Sequence, residues 1–325
     1  MARYPERLYF PTELRKDEHG KTREIDVPKP RPRSLFRRFH RFWQRSFRAH
    51  GNAHGGVRGR SCFTSARQHL GRKYVETRDV SDCYPSISTE DVQRHLRDKG
   101  FRCDVAWVLS RLLTVHGRIP TGSPLSSDAL NVVMERADNI VGSFCGRHGM
   151  SASRVYDDFV VSHNRTEEAG RPGQIVEGCF EDMGLKTNPR KRKNSGFQPN
   201  SRLQFVHGLI VNSKRGTRIA PKQRSKAVSA AESYVRSARS VSPDSLEMVA
   251  EKRRTAFGWM CHCRQAELGP AKHLRRLIDA GDRHVARALS AAGLATHKRR
   301  WWVFSKRMHP SRVADEWRRN ARCKL

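Results

Sequence analysis

The sequence predicts an α+β fold, a small antiparallel sheet among helices, and three observations carry that expectation. Ser153-Arg154-Val155-Tyr156-Asp157-Asp158-Phe159-Val160-Val161 places two acids between apolar runs, as a tight β-hairpin with the acids at its tip does. Tyr74-Val75-Glu76-Thr77-Arg78 reads as a second short strand, and Asp79 stands at its end. Longer segments with helical spacing fill much of the remainder, above all from about Lys222 onward.

The elements follow in order. Residues 8–28 read as a strand at Leu8-Tyr9-Phe10, a polar turn around Asp17-Glu18-His19-Gly20, and a strand over Thr22–Val27. Pro28, Pro30 and Pro32 are expected to interrupt regular structure. From Ser34, as N-cap, Leu35, Phe36, Phe39, Phe42, Trp43 and Phe47 recur at helical spacing and are expected to be core. Arg37, Arg38, Arg41, Arg45 and Arg48 take other positions of that helix, and their number favours phosphate contact. The glycine-rich stretch Gly51–Ser61 suits a backbone that approaches a ligand closely, with Arg58 and Arg60 on phosphate; an ordinary loop fits equally well. Ser88 caps a helix with Asp91 three residues on, and Gly100 closes it. Residues 104–116 read as a helix, and the turn-rich Ile119–Ser127 leads into another that reaches about Ile140. A helix over 172–184 ends at Gly184, and Leu203–Val211 with Thr217–Ile219 suggests a hairpin. The basic helical C-terminal region is expected to break near Pro243, Gly269-Pro270, Gly281 and Pro310.

The charge balance points to a polyanionic partner. The 325 residues hold 64 Lys and Arg against 32 Asp and Glu, a net charge of +32. The charge is segregated: no acid occurs between Asp26 and Glu76, or between Asp182 and Glu232. No signal peptide and no membrane-spanning run is read, so the protein is expected in the cytoplasm with reduced thiols. Cys261-His262-Cys263 lacks the second pair that a zinc site needs.

Adjacent carboxylates repel unless a cation lies between them. Asp79, Asp157 and Asp158 together are a set that can hold two Mg²⁺ ions for phosphoryl transfer. A simple turn is the alternative for Asp157-Asp158 taken alone.

These segments, in order along nearly the whole chain, resemble a reverse transcriptase, more closely the retron and related bacterial defence-associated (DRT-like) branch. Lys21-Thr22-Arg23-Glu24-Ile25 resembles the basic fingers strand, and Asn52-Ala53-His54 through Gly59-Arg60-Ser61 the loop before the first palm strand. Asp79 to Ile87 resembles the first carboxylate motif, and Pro120-Thr121-Gly122-Ser123-Pro124 the segment facing template and nucleotide. Val155-Tyr156-Asp157-Asp158 resembles the paired-aspartate hairpin. Gly184-Leu185-Lys186-Thr187-Asn188 with Lys191 resembles the lysine motif, and Val206–Asn212 the late palm hairpin. The chain departs from the family's common pattern at Val155, where tyrosine is usual, and at Thr121, where many relatives have glutamine. It departs again at His207, where retron enzymes usually carry threonine.

The resemblance implies a right-hand polymerase fold: fingers, a palm with an antiparallel sheet, and a helical thumb. The expected boundaries are 1–73 for fingers with an N-terminal basic region, 74–221 for the palm (with a fingers part at about 88–118), and 222–325 for the thumb. It implies Asp79 and Asp157 as the main metal ligands, Asp158 supporting and Val80 beside them, with two Mg²⁺ ions or Mn²⁺ in their place. Lys191, or a neighbour in Arg190-Lys191-Arg192-Lys193, would protonate pyrophosphate; that run would otherwise bind backbone phosphates. Lys21 and Arg23, with Arg15 or Lys16, would bind the triphosphate, a solvated strand being the alternative for Lys21. Thr121 and Gly122 would border the nucleotide. Tyr84 would exclude a ribose 2′-hydroxyl, and Asp82 is expected to be non-catalytic. Arg37, Arg41, Arg58, Arg60 and Lys193 would contact nucleic acid. Trp259, Trp301 and Trp302 are expected in the core. The implied function is two-metal RNA-directed DNA synthesis from dNTPs on a structured non-coding RNA template. The implied setting is antiphage defence with an accessory effector protein and no membrane. An RNA-scaffolding protein of the same fold, a template-independent terminal transferase and a group II intron-like mobile-element enzyme are the alternatives.

Overall fold

The computed structural model describes residues 4–16, 20–190, 196–213, 216–292, 294 and 310–322, in two units, Met1–Arg215 and Gly216–Leu325. The first unit begins with a hairpin in which Glu13–Lys16 (β1) pairs antiparallel with Thr22–Ile25 (β2). Its first strand therefore lies later than the Leu8–Phe10 position expected from sequence. Leu8 ends a 3-10 turn and Tyr9 is drawn into the core, its ring 6.0 Å from Phe36. The turn expected at Asp17–His19 lies outside the described residues.

Pro30 and Pro32 open a helix instead of interrupting the chain: Pro30–Ser46 (α1), with Lys29 and not Ser34 at the N-cap. Proline in a first turn sacrifices no hydrogen bond, because those N–H groups have no intrahelical acceptor. Phe36 and Trp43 are buried and Phe39 and Phe47 pack beside them, whereas Phe42 is 58 % exposed. All five arginines of this helix segment, from Arg37 to Arg48, are exposed.

Cys62–Arg67 (α2) leads to the strand Tyr74–Arg78 (β3). Next come Cys83–Ser86 (α3), Thr89–Asp98 (α4), Cys103–Leu113 (α5), Ser126–Val133 (α6) and Glu135–Arg147 (α7). Ser88 and Asp91 form the expected capping box. The hairpin Ser151–Val155 (β4) and Asp158–His163 (β5) follows, then Arg171–Asp182 (α8), Phe197–Pro199 (β6), Phe205–Val206 (β7) and Leu209–Ile210 (β8).

The sheet runs β4-β5-β3-β6, antiparallel throughout. Period-two alternation gives it two different faces. Phe159 and Val161 pack into the main core with α8, Phe159 meeting Phe180 edge-on at 5.6 Å. Glu76, on the same face, accepts from the N–H groups of Gly170 and Gly173 and so caps α8 with a carboxylate. The opposite face carries Asp158, Ser162 and Ser153, with His69 and α2 against it.

The described residues of the second unit form four helices: Pro221–Arg239 (α9), Leu246–Ala266 (α10), Leu268–Ala291 (α11) and Pro310–Arg322 (α12). Gly281 does not break a helix, contrary to the sequence expectation. It lies within α11 because the Tyr234 ring sits where its side chain would be, 2.4 Å from an added Cβ. Gly269 and Pro270 fall in the first turn of α11, where proline is tolerated. Asp282 accepts from Tyr234 at 2.6 Å and from Arg253 at 2.7 and 2.8 Å, a buried and fully paired cluster. Trp259 packs against this core, and Trp301 and Trp302 lie outside the described residues.

Candidate active site

The hairpin that carries Asp157 and Asp158 is as tight as the sequence predicts. Val155 pairs with Asp158, so Tyr156 and Asp157 alone make the turn. Tyr156 takes a left-handed conformation, φ 57°, which costs a non-glycine residue about 1 kcal/mol. Its surroundings hold it there. The backbone at 52–54 runs beside β4: Arg154 N–H donates to the Asn52 carbonyl and His54 N–H to the Arg154 carbonyl, both 2.7 Å. Gly55 then lies so close that a Cβ would sit 2.3 Å from the Tyr156 nitrogen. The glycine-rich stretch thus approaches the protein's own Tyr156-Asp157 turn.

Arg154 completes the support, and sequence reasoning missed it. Its guanidinium is fully buried, paired with Asp138 at 2.6 and 3.0 Å, and donates to the Tyr156 carbonyl at 2.6 Å and the Asn131 side chain at 3.1 Å. The available signal was an arginine alternating with apolar residues on a strand otherwise expected to be buried.

Register brings the third carboxylate beside the hairpin. Arg78 and Phe159 are the last pair of the β3–β5 ladder; Asp79 directly follows Arg78 and Asp158 directly precedes Phe159, so both acids stand at the same end of the sheet. Asp79 accepts from Asn188 twice, through its carbonyl (2.7 Å) and its carboxylate (3.1 Å). Ser81 N–H donates to the Lys186 carbonyl, so the bridge between Val80 and Thr187 fastens this strand end on both sides. Among the described residues no three acidic, histidine or cysteine side chains are grouped so that they could hold a metal ion. The donor set is nonetheless hard oxygen, which suits an ion that retains water and takes one or two carboxylates together with substrate phosphate. Asp79, Asp157 and Asp158 are donors of that type.

Other expected residues fall around this centre. Tyr84 packs against the core, and burial, then the nearby Asp157 charge, pushes its phenol well above the ordinary value. Lys21 donates to Asp82 at 2.5 Å, tying the β1–β2 hairpin to the start of α3. Asp26 N–H donates to the Thr121 carbonyl at 2.8 Å, and Gly122, φ 121°, passes within 3.0 Å of the Asp26 carbonyl through its would-be Cβ. Arg118 pairs with Glu24 and Asp26, so hairpin and loop form one assembly. Arg23 is exposed on β2, cross-strand from Arg15. Arg60 turns inward, one nitrogen donating to the carbonyls of His50, Gly51 and Ala53. Arg37, Arg41 and Arg58 remain exposed. Arg41, Arg45 and Arg58 line a cavity of about 960 Å³ that reaches Tyr156. Lys191 and Lys193 lie outside the described residues.

An acid on a two-residue turn, a second at the start of the following strand, a third just beyond the end of the neighbouring strand and helices behind one face fit the palm of a right-hand polymerase. A solved apo telomerase from Candida tropicalis shares the fold, with a TM-score of 0.50 and 11 % identity over 95 % of this chain and 62 % of that one. The model of the reverse transcriptase (RNA-dependent DNA polymerase) family matches residues 15–208, more than half the chain, and the chain belongs to that family. Members use divalent metal ions. The chain is 27 % identical over 227 residues to the retron Mx65 reverse transcriptase of Myxococcus xanthus, covering 64 % of this chain and 52 % of that one. It is 28 % identical over 162 residues to the retron Se72 reverse transcriptase of Salmonella heidelberg (strain 579083-10), covering 49 % and 43 %. The chain therefore spans about half the length of these relatives. No described helix is long and apolar enough to cross a membrane.

Proposed function

We propose that this chain is an RNA-directed DNA polymerase that copies a structured non-coding RNA into DNA, in the cytoplasm, as part of bacterial antiphage defence. The observation that supports the reading is the β3–β5 register, whose last pair, Arg78 and Phe159, is flanked by Asp79 and Asp158, with Asp157 on the adjoining turn. In this reading residues 1–73 are fingers, 74–221 palm and 222–325 thumb. Asp79, Asp157 and Asp158, with Val80 beside them, hold two Mg²⁺ ions, for which Mn²⁺ can substitute. When bound, such ions supply Lewis acidity for the attacking hydroxyl and charge neutralisation for the leaving pyrophosphate.

The chain's own residues do the rest. Lys21 and Arg23 bind the triphosphate of a dNTP, Lys21 exchanging Asp82 for phosphate oxygens. Thr121 and Gly122 border the nucleotide, and Tyr84 stands against a 2′-hydroxyl. Lys191 supplies a proton to pyrophosphate. Arg37, Arg41, Arg58, Arg60 and Lys193 contact the nucleic-acid backbone, whose charge the net +32 complements. An accessory effector protein turns synthesis into defence.

The test is sequencing of RNA and DNA that co-purify with the protein from its native locus, beside an Asp157→Ala/Asp158→Ala control. DNA complementary to one enriched RNA, absent from the control, supports the proposal. Enriched RNA without DNA in either sample overturns it in favour of an RNA-scaffolding protein.

A further inference from the structure

His207 sits at the corner of the β7–β8 hairpin. It and Gly208 both have positive φ, 48° and 79°, as the two central residues of a type I′ turn require. A non-glycine residue is uncommon at a left-handed position, although histidine is among those that tolerate it best. Its ring has a use there. Nδ1 lies 3.1 Å from the Asp158 carboxylate and Nε2 lies 2.8 Å from the Ser65 hydroxyl. The imidazole is almost entirely buried between them, its side chain 6 % exposed.

The contact continues inward. Ser65 meets the Ser153 hydroxyl at 2.6 Å, Ser153 meets His69 Nε2 at 2.7 Å, and His69 Nδ1 meets Ser162 at 2.7 Å. All four of these residues are buried. Burial first, and neighbouring positive charge second, lowers the His69 pKa to about 3, so its ring is neutral. The contacts are continuous from Ser162 through His69, Ser153 and Ser65 to His207 and Asp158. Hydrogen bonds linked in a chain polarise and strengthen one another. The chain joins both strands of the catalytic hairpin and α2 to one oxygen of Asp158.

We infer that His207 is a positioning residue for Asp158, and that the Ser65–Ser153–His69–Ser162 chain behind it fixes the rotation of that carboxylate for a divalent ion. This rests on the polymerase reading of the site. A metal-ligating group is commonly oriented by a hydrogen-bonded partner whose loss costs metal affinity or activity about 10- to 100-fold.

The experiment compares the full chain with His207→Ala, His207→Asn and His207→Gln. Mn²⁺ binding is read by electron paramagnetic resonance without nucleic acid, and dTTP incorporation on poly(rA)/oligo(dT) is read alongside. Asparagine tolerates positive φ and places its amide where Nδ1 stands; the glutamine amide reaches the Nε2 position. His207→Ala and His207→Gln are expected to weaken Mn²⁺ binding about 10-fold and to lower kcat comparably with little change in KM, while His207→Asn stays within about threefold of wild type. Equal Mn²⁺ affinity in wild type and His207→Ala overturns the proposal, as does an asparagine variant no better than the glutamine one. Should the alanine variant fail to fold, the asparagine–glutamine comparison decides alone. Mn²⁺ binding that follows this order without any dTTP incorporation by the wild type would support positioning by His207 and count against the polymerase reading.

Discussion

Arg154 and Asp138 form a two-pronged ion pair with neither side chain exposed to solvent, 2.6 and 3.0 Å between their atoms. The pair joins α7 to β4, and through the Tyr156 carbonyl it reaches the residue next to Asp157. A buried pair can cost as much to desolvate as it returns in attraction, but removing one member leaves an uncompensated charge. Arg154→Met should therefore lower stability by about 3–5 kcal/mol, and Arg154→Met with Asp138→Leu by less than Arg154→Met alone. Urea denaturation of the three proteins measures this, and a double variant less stable than the single one would contradict it.

Acid should weaken the same unit. Burial above all, with the nearby Arg72 charge, lowers the His69 pKa to about 3 from 6.5. Burial and Arg60 likewise lower that of His54, to about 4. For a base whose folded pKa is depressed, the unfolded chain binds the proton first as pH falls. The stability is complete above about pH 6.5 and is lost on going down toward the folded value, His69 alone contributing a loss of about 2 kcal/mol between pH 6.5 and 5. Urea midpoints at pH 7.5 and 5.0 test this; equal midpoints would show that neither histidine is held neutral.

Gly281→Ala should destabilise the second unit. Alanine ordinarily favours a helix interior by about 1 kcal/mol over glycine. Here its Cβ would lie 2.4 Å from the Tyr234 ring, which Asp282 holds through a 2.6 Å hydrogen bond. Overpacking of this kind costs about 1–3 kcal/mol. A rise in the unfolding temperature of Gly281→Ala would show that the ring moves aside freely.

Tyr84→Ala should relax sugar selection. Tyr84 packs against the core just after α3 begins, close enough to Asp157 for that charge to act on its phenol. Removing the ring opens space for a 2′-hydroxyl, and the ratio of kcat/KM for dTTP over UTP should fall about 10-fold or more. An unchanged ratio would assign Tyr84 to packing alone.

Much of the fold was legible because it is local. Ser88 with Asp91, the two-residue turn at Tyr156-Asp157 and the helical spacing of Phe36 and Trp43 are set by residues within a turn or two of one another. Reading Pro30 and Pro32 as breakers failed because proline at a helix start and proline in a loop present the same local sequence. Gly281 misled for a different reason: a glycine required by a ring 47 positions earlier resembles one that ends a helix.

By itself the sequence determined the acids, the segregation of positive charge and the order of the motifs, since the chemistry of each resides in its own residues. The tertiary structure alone decided what supports them. Asp158 and His207 are 49 positions apart and Ser153 and His69 are 84 apart. No periodicity links such pairs; strand register and the burial of polar atoms that require partners do.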